Sequence, residues 1–119
     1  MKIRIGPVAL TATYGTNILN PPAVSGGVGC GSPAVYLDIE HLIIVNKTNV
    51  SQTFRLFIGA TGGTAAGTEV GGYDRVVLAN QVVELWDVGV LSASDFLTGG
   101  AANASALTLE GTAELTVEY

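Results

Sequence analysis

Charge is scarce in this chain. Asp, Glu, Lys and Arg together supply 13 % of 119 residues, about half the share usual in soluble globular proteins. A surface so thinly charged suits a chain that hides part of its exterior in an assembly, although abundant Thr, Ser, Asn and Gly also keep a monomer soluble. The five basic residues, Lys2, Arg4, Lys47, Arg55 and Arg75, are scattered. The clustered cationic face that neutralises phosphates is missing, so no nucleic-acid partner is expected. The single cysteine, Cys30, excludes an internal disulfide framework and, in the setting SGGVGCGSP, has no His or Lys beside it to activate it. The single histidine, His41, excludes a multi-His metal site and leaves Ser or Cys without a neighbouring base. No segment approaches the length of a membrane span, and Gly6 and Pro7 interrupt the apolar run that a signal peptide would need behind MKIRI. The chain is therefore expected to be made and used without secretion, with no membrane partner.

What is present is alternation. The run AELTVEY sets Ala113, Leu115, Val117 and Tyr119 against Glu114, Thr116 and Glu118, the pattern of a half-buried antiparallel strand, and ALTLEG before it turns Leu107 and Leu109 inward. Gly111 and Thr112 between these runs read as a tight hairpin turn. In YLDIEHLIIVN, one face holds Leu37, Ile39, His41, Ile43 and Val45, and the other changes from acidic Asp38 and Glu40 to aliphatic Leu42 and Ile44. The later half of this strand is expected to be covered on both sides, as a central strand or at a subunit interface, with Leu42 and Ile44 as the candidates for a subunit contact. Turn chemistry at Asn46 and Asn49 leads into QTFRLFIG, with Phe54, Leu56 and Ile58 on one face, and the two strands are expected to pair as a hairpin. VALTATYGTNIL, DRVVL, QVVELWDVGV and SDFLTGG complete the strand-like segments. About eight short strands with turn signals between them predict an all-β, single-domain antiparallel sandwich or barrel over residues 1–119. Long irregular loops are expected at about 20–34 and 59–72.

The second loop, GATGGTAAGTEVGG, contains six glycines and one ionisable side chain, Glu69. It lacks the Gly-x-x-x-x-Gly-Lys-Ser/Thr of a phosphate cradle and the Gly-x-Gly-x-x-Gly of a dinucleotide site, and a strand follows it rather than a helix. It reads either as a contact loop, with Gly62, Gly63, Thr64, Glu69 and Val70 meeting another molecule, or as an ordinary mobile surface loop. The carboxylate pairs Asp38/Glu40 and Glu114/Glu118 have the residue types of acid–base chemistry or calcium binding, but a solvated strand face accounts for them too. Asp87 and Asp95 read as turn residues accepting backbone N–H groups. The chain is thus read as a non-enzyme without a metal or cofactor. Tyr73 and Trp86, the latter beside Glu84 and Asp87, offer a carbohydrate-binding platform as an alternative to burial or an interface role.

The blocks LDIEHLIIVNKTNVSQTFRLFIGATGGTAAGTE and VVLANQVVELWDVGVLSASDFLTGGAANASALTLEGTAELTVEY, with TNILNPP near the N-terminus, carry a family resemblance. They resemble the small β-sandwich virion proteins of tailed bacteriophages. The shared pattern is a hydrophobic strand ending in Val-Asn-Lys/Thr, a Thr-Phe-x-Leu-Phe-Ile-Gly strand, a Gly/Ala loop, Asp-Phe/Tyr-Leu and a terminal Ala-Glu-Leu strand. The resemblance implies a capsid decoration, or cement, protein: a jelly-roll-like subunit, often a homotrimer, on the outer surface of the virion over junctions of the major capsid protein. A minor tail or head–tail component of similar fold is implied equally. No motif marks the contact residues; the candidates are Leu42, Ile44, Gly62, Gly63, Thr64, Glu69, Val70, Tyr73 and Trp86.

Overall fold

Alternating side chains build eight strands in the computed structural model, which describes residues 1–22, 34–92 and 94–118. They are β1 (Lys2–Ala9), β2 (Asn17–Leu19), β3 (Ala34–Asn46), β4 (Gln52–Gly59), β5 (Glu69–Val77), β6 (Val82–Leu91), β7 (Phe96–Ala101) and β8 (Leu107–Glu118). The first sheet has the order β1-β8-β3-β6 and the second β2-β7-β4-β5, with every neighbouring pair antiparallel. First pairs with last, second with seventh, third with sixth and fourth with fifth. This nesting is the two-Greek-key order of a jelly roll, and the expected all-β sandwich is the fold observed. Inward side chains of both sheets, among them Ile5, Leu37, Ile39, Phe54, Leu56, Leu97, Leu107 and Leu109, form one core. Most of the expected loop at 20–34, together with Cys30 and Tyr119, lies outside the described residues.

Four local expectations are corrected. The N-terminal strand begins at Lys2, so KIRI belongs to a strand, and VALTATYGTNIL divides between β1, a loop and β2. β8 runs unbroken through Gly111, because β3 crosses so closely there that the glycine serves backbone approach rather than a turn. β3 and β4 do not pair, since residues 47–51 carry the chain from one sheet to the other. Leu42 and Ile44 are 0 % exposed within a single chain. A register shift between Ile39 and His41 inserts Glu40 as an extra residue and reverses which parity faces the core. Val35, Leu37 and Ile39 point inward before the bulge, and Leu42, Ile44 and Asn46 after it. The candidate pair for a subunit contact belongs to the core.

Asn46 ties together the two crossings between sheets at one end of the sandwich. Its amide Nδ2 donates to Val50 O (2.8 Å) and Val77 O (3.0 Å), and its Oδ1 accepts from Thr48 N (2.9 Å). Its own backbone N donates to Gln81 O (2.9 Å).

Candidate functional site

The glycine stretch is shorter than its sequence indicates, because residues 69–72 already belong to β5. The remaining loop connects β4 and β5 and is held against its own sheet. Asn17 grips it at two points, donating from Nδ2 to Thr61 Oγ1 (3.0 Å) and accepting from Gly62 N at Oδ1 (2.8 Å). Thr98 Oγ1 donates to Gly63 O (2.7 Å). A Cβ on Gly15 would lie 2.8 Å from Gly62 O, so the glycines here permit two stretches of one backbone to meet. Beneath the loop, Thr98 and its register partner Phe57 are both buried, on the side of the second sheet opposite Leu56 and Leu97. Glu69 Oε2 accepts from Gly67 N (2.8 Å), Val70 packs against the core, and Thr64 is exposed. Gly62 and Gly63 are thus engaged within the chain.

Beside this loop lies an arrangement with no signal in the sequence. Arg55 donates from Nε to Asp74 Oδ1 (2.6 Å) and from Nη2 to Asp74 Oδ2 (2.9 Å), a bidentate pair. Its guanidinium carbon lies 4.3 Å from the ring centroids of both Tyr14 and Tyr73. Tyr73 also meets Phe57 edge to face at 6.5 Å. The hydrogen bond from Arg55 holds the Asp74 carboxyl below the ordinary value of 3.8. A lowered carboxyl pKa adds stability that is complete above the ordinary value and is lost as pH falls through the folded one. The melting-temperature gap between the parent and Asp74→Asn is therefore expected to be constant from pH 7 to 5 and to close below pH 3.8. A gap that persists unchanged at pH 2.5 would show that the carboxylate charge is not what stabilises this arrangement.

The outer face of the first sheet carries the other candidates. Register places Arg4, Thr112, His41 and Trp86 in one row across β1, β8, β3 and β6. The His41 and Trp86 rings stack at 3.8 Å with 12° between their planes, while Trp86 remains 65 % exposed. His41 Nε2 lies 3.5 Å from Glu84 Oε1 and has no hydrogen-bond partner among the described residues. A depression of about 440 Å³ beside it is lined chiefly by Lys2, Arg4, His41, Ile43, Glu110 and Thr112. Its charges are matched. Lys2 pairs with Glu40, which raises the lysine pKa, and Arg4 lies 3.8 Å from Glu110. Glu114 accepts from the N-terminal amino group (2.8 Å), the main cause of its lowered pKa. Of the pair Asp38/Glu40, whose residue types fit acid–base chemistry or calcium binding as well as a solvated strand face, Asp38 has no ion-pair partner among the described residues, as Asp87 has none, and Glu40 is committed to Lys2. Asp95 takes the turn role expected of it, accepting from Ser92 N (3.1 Å) and Ser92 Oγ (2.8 Å).

Tyr73 and Trp86 are therefore both exposed but on different sheets, and the loop residues form no single surface with Trp86. Sequence reading missed the apolar residues around them. Val76 and Leu78, at and after the end of β5, and Val82 and Val90 on β6 are all exposed. β5 and β6 are edge strands of the two sheets. Polar and apolar residues alternate weakly in both, and that is the one signal their sequences offered.

These features define a jelly-roll sandwich with an exposed apolar flank and no gathered set of metal ligands among the described residues. No protein-family profile matches the chain, and comparison with curated proteins likewise gives no match.

Proposed function

We propose that this is a structural virion protein, a decoration protein that binds the outer surface of a tailed-phage head and stabilises the shell. The observation that carries this reading is the set of exposed apolar side chains on β5 and β6, the edge strands of the two sheets that meet along one flank. Tyr73, Val76 and Leu78 stand exposed on or just after β5, and Val82, Trp86 and Val90 on β6, in a chain with only 13 % charged residues. Exposed apolar side chains gathered on neighbouring edges mark a place where another protein sits. The jelly roll is a fold of viral capsid proteins and of lectins alike, so it is the flank and not the fold that argues for a protein partner. In this reading the partners are the major capsid protein and further copies of the chain, as a homotrimer.

A second reading, a carbohydrate-binding module, is favoured by Trp86, whose ring is held by His41 on one face and stands beside the Glu84 carboxylate. One experiment separates the two. The protein is mixed with empty heads of the phage that carries its gene, and in parallel with an array of bacterial surface glycans. Co-sedimentation with heads and a raised head melting temperature are the expected results. Absence of co-sedimentation would overturn the decoration reading. Glycan binding abolished by Trp86→Ala would establish the alternative.

A further inference from the structure

Every open sheet has two edges, and an unguarded edge pairs with another strand. Three of the four edges here are guarded along part or all of their length. β2 is three residues long, β5 carries register shifts and the charges of Asp74 and Arg75, and β1 contains Pro7, which has no N–H to give. Among the described residues, what remains regular and unpaired is Lys2–Ile5 of β1 and Val82–Trp86 of β6, the two opposite edges of the first sheet.

These segments complement one another. Lys2 and Arg4 stand exposed on the first, and Glu84, Asp87 and Trp86 on the second. Leu115 N donates to Met1 O (2.8 Å), so antiparallel alternation turns the backbone N–H and C=O of Lys2 and Arg4 away from β8. Asn46 N donates to Gln81 O, so the same alternation turns those of Val82, Glu84 and Trp86 away from β3. β1 and β6 run in opposite directions, being separated by three antiparallel steps. A second copy displaced along the sheet would present β1 antiparallel to β6.

We propose that copies of this chain associate head to tail through these edges, β6 of one pairing with β1 of the next and Arg4 standing opposite Trp86. Both residues already occupy one level of the sheet, so the pairing needs no stagger. The guanidinium then covers the face of Trp86 that His41 leaves open, with Glu84 one diagonal step away. On the inner side Ile5 of the next copy follows Leu85, continuing the core row. The Arg4–Glu110 pair within one chain is exposed and weak, and does not compete. A twofold contact is disfavoured, because β6 against β6 brings together Glu84 and Asp87 of both copies, and β1 against β1 brings together their Lys2 and Arg4. A head-to-tail contact closes into a ring, such as a trimer, or grows as a chain. The inference rests on the self-association in the reading above and not on capsid binding.

The test is zero-length carbodiimide cross-linking of the unmodified protein, with peptide mapping of the species at twice 12.1 kDa. Within one copy, β1 and β6 lie at opposite edges of a four-stranded sheet, so a link between them reports a contact between copies. With Arg4 opposite Trp86, Lys2 of one copy falls beside Asp87 of its neighbour, so the expected product joins Lys2 to Asp87. In sedimentation equilibrium, Arg4→Glu and Glu84→Arg are each expected to weaken association about tenfold, and the double variant to restore it. A monomer at tens of micromolar, a dimer linked only through Lys47, or association unchanged in both single variants would overturn the proposal. Capsid co-sedimentation by a monomer would sink this inference while leaving the decoration reading intact.

Discussion

Gly111→Ala is expected to lower the melting temperature by roughly 10 °C, since its added methyl would make the closest approach of any glycine assessed among the described residues. A Cβ at this position would lie 2.0 Å from His41 O and 3.0 Å from both the His41 carbonyl carbon and Leu42 Cδ2. His41 belongs to β3, which is flanked by β8 on one side and β6 on the other, so its carbonyl cannot retreat without shifting two ladders. Overpacking against a backbone that cannot move costs about 3 kcal/mol, a large part of the 5–15 kcal/mol that typically holds a domain together. Gly67→Ala is the control. Its φ of +94° strains any other residue, but nothing lies within 4 Å of the added carbon, so a loss of about 1 kcal/mol is expected. Urea denaturation of the three proteins measures both. A tolerated Gly111→Ala would mean that β8 bends away from β3 at this point, as a hairpin turn would.

That position also shows what a sequence of this kind hides. Gly-Thr between two alternating apolar runs has the same appearance whether the chain turns back or continues past a close neighbour, and only the tertiary crossing of β3 decides. Alternation itself was legible: Phe54, Leu56, Leu107 and Leu109 all face the core as their spacing requires. Parity failed at Glu40, because one inserted residue reverses every later assignment, and Leu42 and Ile44 passed from the outside to the inside with it. Sheet membership failed at residues 47–51, where a crossing between sheets carries the same turn residues as a hairpin. For the candidate surfaces, alternation set Trp86 against the Val83 and Leu85 face of its strand, but exposure, burial and an interface role were all open for it, and only the structure shows it exposed. Its stack on His41 was not legible either, since that contact depends on register shifts in both β3 and β6. Tyr14, Arg55 and Tyr73 are far apart in sequence and meet only because β4 and β5 pair beside the loop that follows β1.

Asn46→Asp is expected to be more damaging at pH 7 than Asn46→Ala, although it changes one atom where the other removes a whole amide. The side chain is buried, and its Nδ2 faces three carbonyl oxygens: Val50 at 2.8 Å, Val77 at 3.0 Å and Leu78 at 3.3 Å. Alanine leaves those acceptors, and the Thr48 N and Oγ1 donors that Oδ1 now receives at 2.9 and 2.7 Å, without their partner, for a loss of about 3 kcal/mol. An ionised carboxylate would add a buried negative charge aimed at three oxygens, a penalty of about 3–5 kcal/mol before any relief by protonation. Protonation gives that relief, because an acid that pairs only when neutral has its folded pKa raised above the unfolded value of about 3.9. The sign follows. Below pH about 3.9 the variant carries its proton in both states and its defect is smallest, and as pH rises towards the raised folded value the defect grows, then levels off. The alanine defect has no such dependence. Stability differences from the parent, taken at pH 3.5, 5 and 7 so that the parent's own carboxylates cancel, should therefore diverge with rising pH for the acid and stay level for alanine. Two parallel, level lines would mean that the amide at Asn46 presents its oxygen, rather than its nitrogen, to the chain where it crosses between the sheets.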